Sequence, residues 1–126
     1  MKIVYFSVTG NTRKYVGKIQ EWYKVDALEI TAEDPEFAVD EDFLLIVPCY
    51  ERNTTNPVWE FMSFAGNSQH CQGVIGGGNR NFAGLFIYTA KDIRDDFGVP
   101  LLWGFEFAGM PNDVEFVVKW LKEHEE

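Results

Sequence analysis

The sequence KIVYFSVTGNT, residues 2–12, changes character at Ser7. Up to Phe6 the residues are apolar and rich in β-branched and aromatic side chains, which predicts a buried strand. Small polar residues and one glycine follow. After them, apolar residues recur at positions 15, 16, 19, 22 and 23, a spacing that predicts a helix over residues 13–23. A strand that leads into a helix through a short polar loop is the first half of a βαβ unit.

The rest of the chain repeats this alternation. Further strands are predicted at residues 25–30, 43–50, 73–78 and 101–107, and further helices after Pro57, over residues 86–97 and after Pro111. The acidic segment 31–42 has no apolar stripe and is predicted to be a loop with at most one turn of helix. Alternating strands and helices predict a parallel sheet with helices on both faces, in the flavodoxin-like order 2-1-3-4-5. We expect residues 1–126 to form one domain of this α/β class.

Composition excludes several classes of protein. The 126 residues carry a formal net charge of -9, which argues against binding nucleic acid or an anionic membrane surface. No apolar run is long enough for a membrane span or a signal peptide, so a cytoplasmic protein is expected. Cys49 and Cys71 are predicted at opposite ends of neighbouring strands, about 15–20 Å apart, which excludes a disulfide. His70 and His124 are predicted at the surface, and no metal site is expected.

In this architecture a ligand binds beyond the carboxyl ends of the strands, where the strand order reverses. Residues 7–12 border that crevice. A helix N-terminus presents free N–H groups and about half a positive charge, and Gly10 permits a tight turn. Hydroxyl and amide side chains add donors, and the motifs of P-loops and dinucleotide sites are absent. The segment therefore suits one phosphate group, although a plain turn with Thr12 as N-cap explains the same residues.

Two more segments border the crevice. Residues 50–57, YERNTTNP, are predicted to be a loop that ends at Asn56, an N-cap, before Pro57 at the first helical position. Residues 76–86, GGGNRNFAGLF, begin with three glycines at the end of a buried strand, where a bare backbone can lie against a flat ligand. Phe82 is a candidate for stacking on a ring, whereas Phe86 fits the helical stripe and is assigned to the core. A phosphate cradle beside a flat slot matches the shape of FMN.

These segments also carry a family resemblance. YFSVTGNT resembles the phosphate loop of flavodoxins. GVIGGGNRNFAGLF and GVPLLWGFEFAGMPNDVEFV resemble the NrdI family, small flavodoxin-like proteins associated with class Ib ribonucleotide reductase. The likeness covers nearly the whole chain, and GNRNF is its most specific part.

The resemblance implies an FMN protein whose reduced form converts dioxygen to superoxide or peroxide, for use by the ribonucleotide reductase small subunit in assembling its radical cofactor. It implies that the phosphate is held by Ser7, Val8, Thr9, Gly10, Asn11 and Thr12. It implies that one side of the flavin ring is flanked by Cys49, Tyr50, Glu51, Arg52, Asn53, Thr54, Thr55 and Asn56. It implies that the other side is contacted by Gly77, Gly78, Asn79, Asn81 and Phe82.

One departure from the family is expected to affect the flavin. The family commonly has glycines near the flavin N5, and residues 51–55 contain none. Asn53 is the best substitute, because asparagine tolerates positive φ. Arg52 would favour the anionic reduced ring if it lies nearby; a solvated arginine or a partner contact is the alternative.

Two other functions stay open. A general flavodoxin would share the fold and cofactor but serve several redox partners. A flavin-free interaction domain would share the fold alone. In the favoured interpretation no residue acts as an acid–base or nucleophilic catalyst. A separate reductant supplies electrons to the flavin, and the chain is a monomer.

Overall fold

The computed structural model describes residues 1–125, with the backbone alone at residues 82–84. Its strands are β1 (Lys2–Phe6), β2 (Ala27–Ile30), β3 (Phe43–Val47), β4 (Cys71–Gly78) and β5 (Leu101–Glu106). All neighbouring pairs are parallel, and the order across the sheet is β2-β1-β3-β4-β5. The predicted fold class and strand order are therefore confirmed.

The helices are α1 (Asn11–Trp22), α2 (Arg52–Met62), α3 (Asn67–His70), α4 (Tyr88–Phe97) and α5 (Pro111–Glu123). A 3-10 helix, Arg80–Leu85, joins β4 to α4. The sequence did not predict α3 or the 3-10 helix, because neither is long enough to show an apolar stripe. The acidic segment 31–42 contains no helix or strand, as predicted.

Helices cover both faces of the sheet because side chains alternate along each buried strand. In β3, Phe43, Leu45 and Val47 face the core under α2 and α4. Leu44 and Ile46 face the opposite core, under α1 and α5. The carboxyl ends of the strands consequently meet at one open edge between two covered faces, which is where a crevice can form.

The start of α2 differs from the prediction. Residues 52–55 are helical and Pro57 lies inside the helix, so Asn56 is not the N-cap and Pro57 is not the first helical residue. The Glu51 carbonyl begins the helix by accepting the N–H groups of Thr54 and Thr55, at 2.9 and 3.1 Å. Pro57 is the sixth residue of α2, so its missing N–H leaves the Asn53 carbonyl without the usual intrahelical partner.

Both cysteines are free: Cys71 is buried at the start of β4 and Cys49 is half-buried beyond β3. The predicted absence of a disulfide is confirmed. Within residues 1–125, each helix is too short or too polar to traverse a bilayer.

Candidate functional site

A cavity of about 450 Å³ opens at the carboxyl edge of the sheet. That volume is in the range of small-molecule sites. The cavity is lined by residues from the ends of β1, β3, β4 and β5 and from the segment before α4, namely Val8, Thr9, Asn11, Thr12, Pro48, Cys49, Tyr50, Gly77, Gly78, Asn79, Leu85, Tyr88, Phe105 and Phe107. We call this cavity the crevice. None of its lining residues, all within the described part of the chain, is an aspartate, glutamate, histidine, lysine or arginine.

The loop before α1 forms one end of the crevice. Gly10 is the N-cap of α1 with φ +96° and ψ -9°, a left-handed conformation that favours glycine. The Ser7 hydroxyl accepts the N–H of Arg13 at 3.4 Å, and the N–H groups of Asn11 and Thr12, the first two helical residues, are left for a ligand. Thr12 is buried inside the helix, so the interpretation of Thr12 as N-cap is wrong.

Arg13, a cation in the first turn of α1, is already paired. Arg13 binds the Glu29 carboxylate through two hydrogen bonds, of 3.0 and 2.6 Å, and Tyr5 donates a third at 3.0 Å. The bonds from Arg13 hold the pKa of Glu29 below its usual value. An anion at the start of α1 would consequently be held by neutral donors and the helix dipole.

The segment after β3 is fixed by α4. Thr89 is buried, and its hydroxyl accepts the N–H of Tyr50 at 3.2 Å and donates to the carbonyl of Tyr50 at 3.0 Å. The Tyr50 hydroxyl donates to Thr9 Oγ1 at 3.4 Å. These bonds join the loops after β1 and β3 across the crevice, with Cys49 and Tyr50 in its wall.

The rest of the middle segment does not line the crevice. Glu51 is the N-cap of α2, and Arg52, Asn53, Thr54, Thr55 and Asn56 lie in its first turns. Arg52 stacks on Trp59, 3.7 Å from the ring centroid, and pairs with Asp96 of α4 at 3.8 Å. Asn53 lies in α2 and is not among the residues with positive φ; its role as a substitute for the missing glycines stays a prediction. Ligand contact by residues 51–56 stays a prediction.

The glycines at the end of β4 have a packing role as well as a place in the crevice wall. A Cβ on Gly76 would meet Ala90 at 2.6 Å, and one on Gly77 would meet the Phe105 ring at 2.9 Å. A Cβ on Gly78 would meet the backbone nitrogen of Ile87 at 2.8 Å. Close packing therefore requires glycine at these three positions, whatever binds in the crevice. Gly77 and Gly78 still present bare backbone to the crevice.

The segment after β4 is tied to β5. Asn79 Oδ1 accepts the N–H of Asn81 at 2.9 Å, which starts the 3-10 helix. Arg80 bonds Glu106 through its guanidinium at 2.7 Å and its N–H at 3.1 Å, and it lies over the ring of Phe86. These bonds lower the pKa of Glu106. Asn79 lines the crevice and Asn81 does not; the side chain of Phe82, the predicted stacking residue, lies outside the described residues.

Four crevice residues lie outside the segments predicted from the sequence, namely Pro48, Tyr88, Phe105 and Phe107. Leu85 lies in the predicted segment 76–86 but was not named as a contact. Tyr88 and Leu85 are not part of the apolar stripe of α4. An aromatic residue outside such a stripe is a signal in the sequence that it contacts something other than the core. Phe107 follows the carboxyl end of β5, so the rule that identified the other loops could have found it. Burial raises the pKa of Tyr88, with nearby Cys49 adding to the effect, which keeps its hydroxyl neutral.

The crevice has the chemistry of a binding site. Its lining residues, all described, include no carboxylate or imidazole for acid–base catalysis. Helix N–H groups and hydroxyls at one end suit a phosphate group, and bare glycine backbone with aromatic side chains at the other suits a planar ring. These residues fit a phosphorylated heteroaromatic cofactor such as FMN.

Comparison with known proteins agrees with this chemistry. The family described as "NrdI Flavodoxin like" matches residues 3–119. The chain is 35% identical to Protein NrdI of Bartonella bacilliformis, over 96% of this chain and 94% of that protein. It is 33% identical to Protein NrdI of Mesoplasma florum, over 96% of this chain and 83% of that protein.

Among solved structures, a short-chain flavodoxin associated with a bacterial microcompartment superposes with a TM-score of 0.64 at 18% identity. The match covers 96% of this chain and 93% of that one. At this identity the likeness shows the fold alone.

Proposed function

Because the chain belongs to the NrdI flavodoxin-like family, we propose that it is a redox protein that activates the small subunit of a ribonucleotide reductase. Members of the family are FMN flavoproteins linked to ribonucleotide reductase, and FMN is the cofactor. In the proposal, the protein delivers electrons or a reduced-oxygen oxidant, superoxide or peroxide, for assembly of the radical cofactor in the small subunit.

The observation that carries the proposal is the crevice. Its loop at residues 8–12 would hold the FMN phosphate through the N-terminus of α1. The glycines at the end of β4 would lie against the flavin ring, and Tyr50 would border the ring from the β3 side. These three segments line one cavity of about 450 Å³, although they come from different parts of the chain.

Bound FMN supplies the electron transfer, and the protein supplies its surroundings. The Thr89 clamp on Tyr50 keeps the crevice wall in one conformation. The described lining residues are uncharged, so none of them offers a cation to balance the negative charge of the reduced flavin ring. The net charge of -9 favours a partner that presents a basic surface at its docking site.

The location of FMN can be tested with the two thiols. Cys49 lines the crevice, whereas burial raises the pKa of Cys71 to about 12 and leaves it unreactive. A thiol reagent should therefore modify Cys49 alone in the native flavin-free protein, and saturating FMN should protect it. A protein that binds no FMN would contradict the proposed function. Bound FMN with full reactivity at Cys49 would contradict the proposed location.

Activation needs a separate experiment. The FMN-loaded protein is reduced anaerobically and then mixed with oxygen and the metal-loaded small subunit, and radical formation is followed by electron paramagnetic resonance. We expect a radical only when the reduced protein, oxygen and subunit are all present. Free reduced FMN at the same concentration is the control. No radical above that control would favour a general flavodoxin that serves other partners.

A further inference from the structure

Phe107 combines three properties that rarely occur together. Its backbone φ is +56°, in the left-handed region that a bulky residue rarely adopts. Its side chain is 68% exposed. It lines the crevice, directly after β5.

Folding alone does not explain this residue. A left-handed backbone at a non-glycine residue is strained, and an exposed phenylalanine adds little packing in return. Glycine or asparagine would adopt the same φ with less strain. Strain of this kind persists where the surrounding structure imposes it, and it is concentrated at ligand sites.

The surrounding structure does impose it. The N–H of Gly109 bonds the carbonyl of Glu106 at 3.0 Å, which closes a turn around Phe107. Lys18 of α1 donates to the carbonyls of Ala108 and Gly109, at 3.1 and 3.0 Å. Gly109 itself has φ +84°, and a Cβ there would collide with the ring of Tyr15. The turn that presents Phe107 is thus fixed from α1 and from the core.

The strand order places Phe107 opposite the wall formed after β3. β4 lies between β3 and β5 in the sheet, and its terminal glycines, Gly77 and Gly78, line the crevice. Cys49 and Tyr50 border those glycines from the β3 side, and Phe107 borders them from the β5 side. A planar ring that lies against the glycines therefore has an aromatic residue on each flank.

We propose that Phe107 contacts the planar ring of FMN and forms the β5 wall of its binding site. This inference rests on the proposed function, since it assumes that the crevice holds FMN. The strained turn fixes the backbone that carries the phenyl ring before FMN arrives, so less backbone freedom is lost on binding. An aromatic contact at this position contributes to affinity through stacking and burial of apolar area.

The test uses variants that distinguish the effect of losing the phenyl ring from the effect of relieving the backbone strain. Phe107→Gly and Phe107→Asn both tolerate the left-handed backbone and remove the ring. We expect each to bind FMN about tenfold more weakly than the wild type, as the loss of one aromatic contact predicts. Phe107→Tyr keeps the ring and should bind with nearly wild-type affinity. Affinity is measured by quenching of flavin fluorescence, and circular dichroism in the flavin absorption bands reports on the surroundings of the ring.

Ala65 provides the matched control. It is exposed and has φ +51°, and it does not line the crevice. Ala65→Gly should raise the urea midpoint of the flavin-free protein, as Phe107→Gly should, and leave FMN binding unchanged. Wild-type affinity and an unaltered flavin dichroism in both Phe107→Gly and Phe107→Asn would overturn the inference. A wild-type protein that binds no FMN would overturn the proposed function as well, so the two failures are distinguishable.

Discussion

Thr89 fixes the crevice although it is not one of its lining residues. Its side chain is 1% exposed, and its hydroxyl satisfies both backbone groups of Tyr50. A buried backbone group that loses its partner is costly, because water cannot replace the lost bond. The orientation of Tyr50, and through it the bond to Thr9 across the crevice, therefore depends on one hydroxyl group on α4.

Replacing that hydroxyl by a methyl group tests this dependence. Thr89→Val has nearly the same shape but leaves the N–H and C=O of Tyr50 without their partner. We expect the free energy of unfolding to fall by about 1–3 kcal/mol, and FMN affinity to fall with it. Urea unfolding and fluorescence titration measure the two effects. Thr89→Ser retains the hydroxyl and should retain the affinity; a Val variant with wild-type affinity would show that the clamp is not needed.

Sequence reasoning could not have found this clamp. Thr89 and Tyr50 are 39 positions apart, and neither position has a pattern that identifies its partner. By contrast, Gly10 could be predicted as a turn residue of the crevice. A glycine between a strand and a helix at this edge of a parallel sheet permits the tight turn that a ligand loop needs. Residues whose role depends on local backbone were predicted, and those whose role depends on a distant contact were not.

Among the secondary-structure elements, the five strands and the four longer helices were predicted from apolar periodicity. The main error was the start of α2, which the proline rule placed at Pro57. The helix begins at Arg52 because Thr55, Val58 and Trp59 are buried and the Glu51 carbonyl caps the first turn. Tertiary packing overrides weak local preferences of this kind, and a single sequence does not show it.

The connection between β4 and α4 shows how close packing shapes the crevice. Ile87, a β-branched residue, has φ +52° at the start of α4. Its side chain and its backbone nitrogen occupy the space that Cβ atoms on Gly76 and Gly78 would need. The glycines therefore allow the strained Ile87 to pack against the sheet, and the same lack of side chains leaves flat backbone in the crevice.

The bond between Arg80 and Glu106 ties this connection to β5 and gives it a pH dependence. Since the folded-state pKa of Glu106 lies below its ordinary value of 4.5, the bond contributes stability above that value and loses it as the pH falls through the lower folded pKa. Glu106→Gln should therefore be less stable than the wild type at neutral pH. The difference should shrink as the pH is lowered below 4.5.

Urea unfolding at a series of pH values measures this difference. Glu33→Gln, an exposed residue in the loop between β2 and β3, removes the same charge and is the control. Its stability relative to the wild type should change little over the same pH range. A Glu106→Gln variant whose deficit persists unchanged at low pH would show that the contribution comes from packing and not from the carboxylate.

Over the whole molecule, charge opposes the binding of an anionic cofactor. The chain carries a formal net charge of -9, and the FMN phosphate is itself negative. Among the described residues that line the crevice, there is no lysine or arginine to offset this repulsion. Arg13, one of two cations in the first turn of α1, is held by Glu29. Affinity for the phosphate must therefore come from short-range donors and the helix dipole, which salt screens little at contact distance.

This separation of short-range attraction from long-range repulsion predicts an unusual salt response. Raising the ionic strength shortens the Debye length to below about 10 Å, which screens the repulsion during approach. The association rate of FMN should therefore increase with salt, while the dissociation rate changes little. Stopped-flow quenching of flavin fluorescence measures both. Riboflavin, which lacks the phosphate, is the control, and its association rate should not depend on salt. If salt instead slows the association of FMN, a cation must attract the phosphate, and Arg13 released from Glu29 would be the first residue to test, by Arg13→Gln.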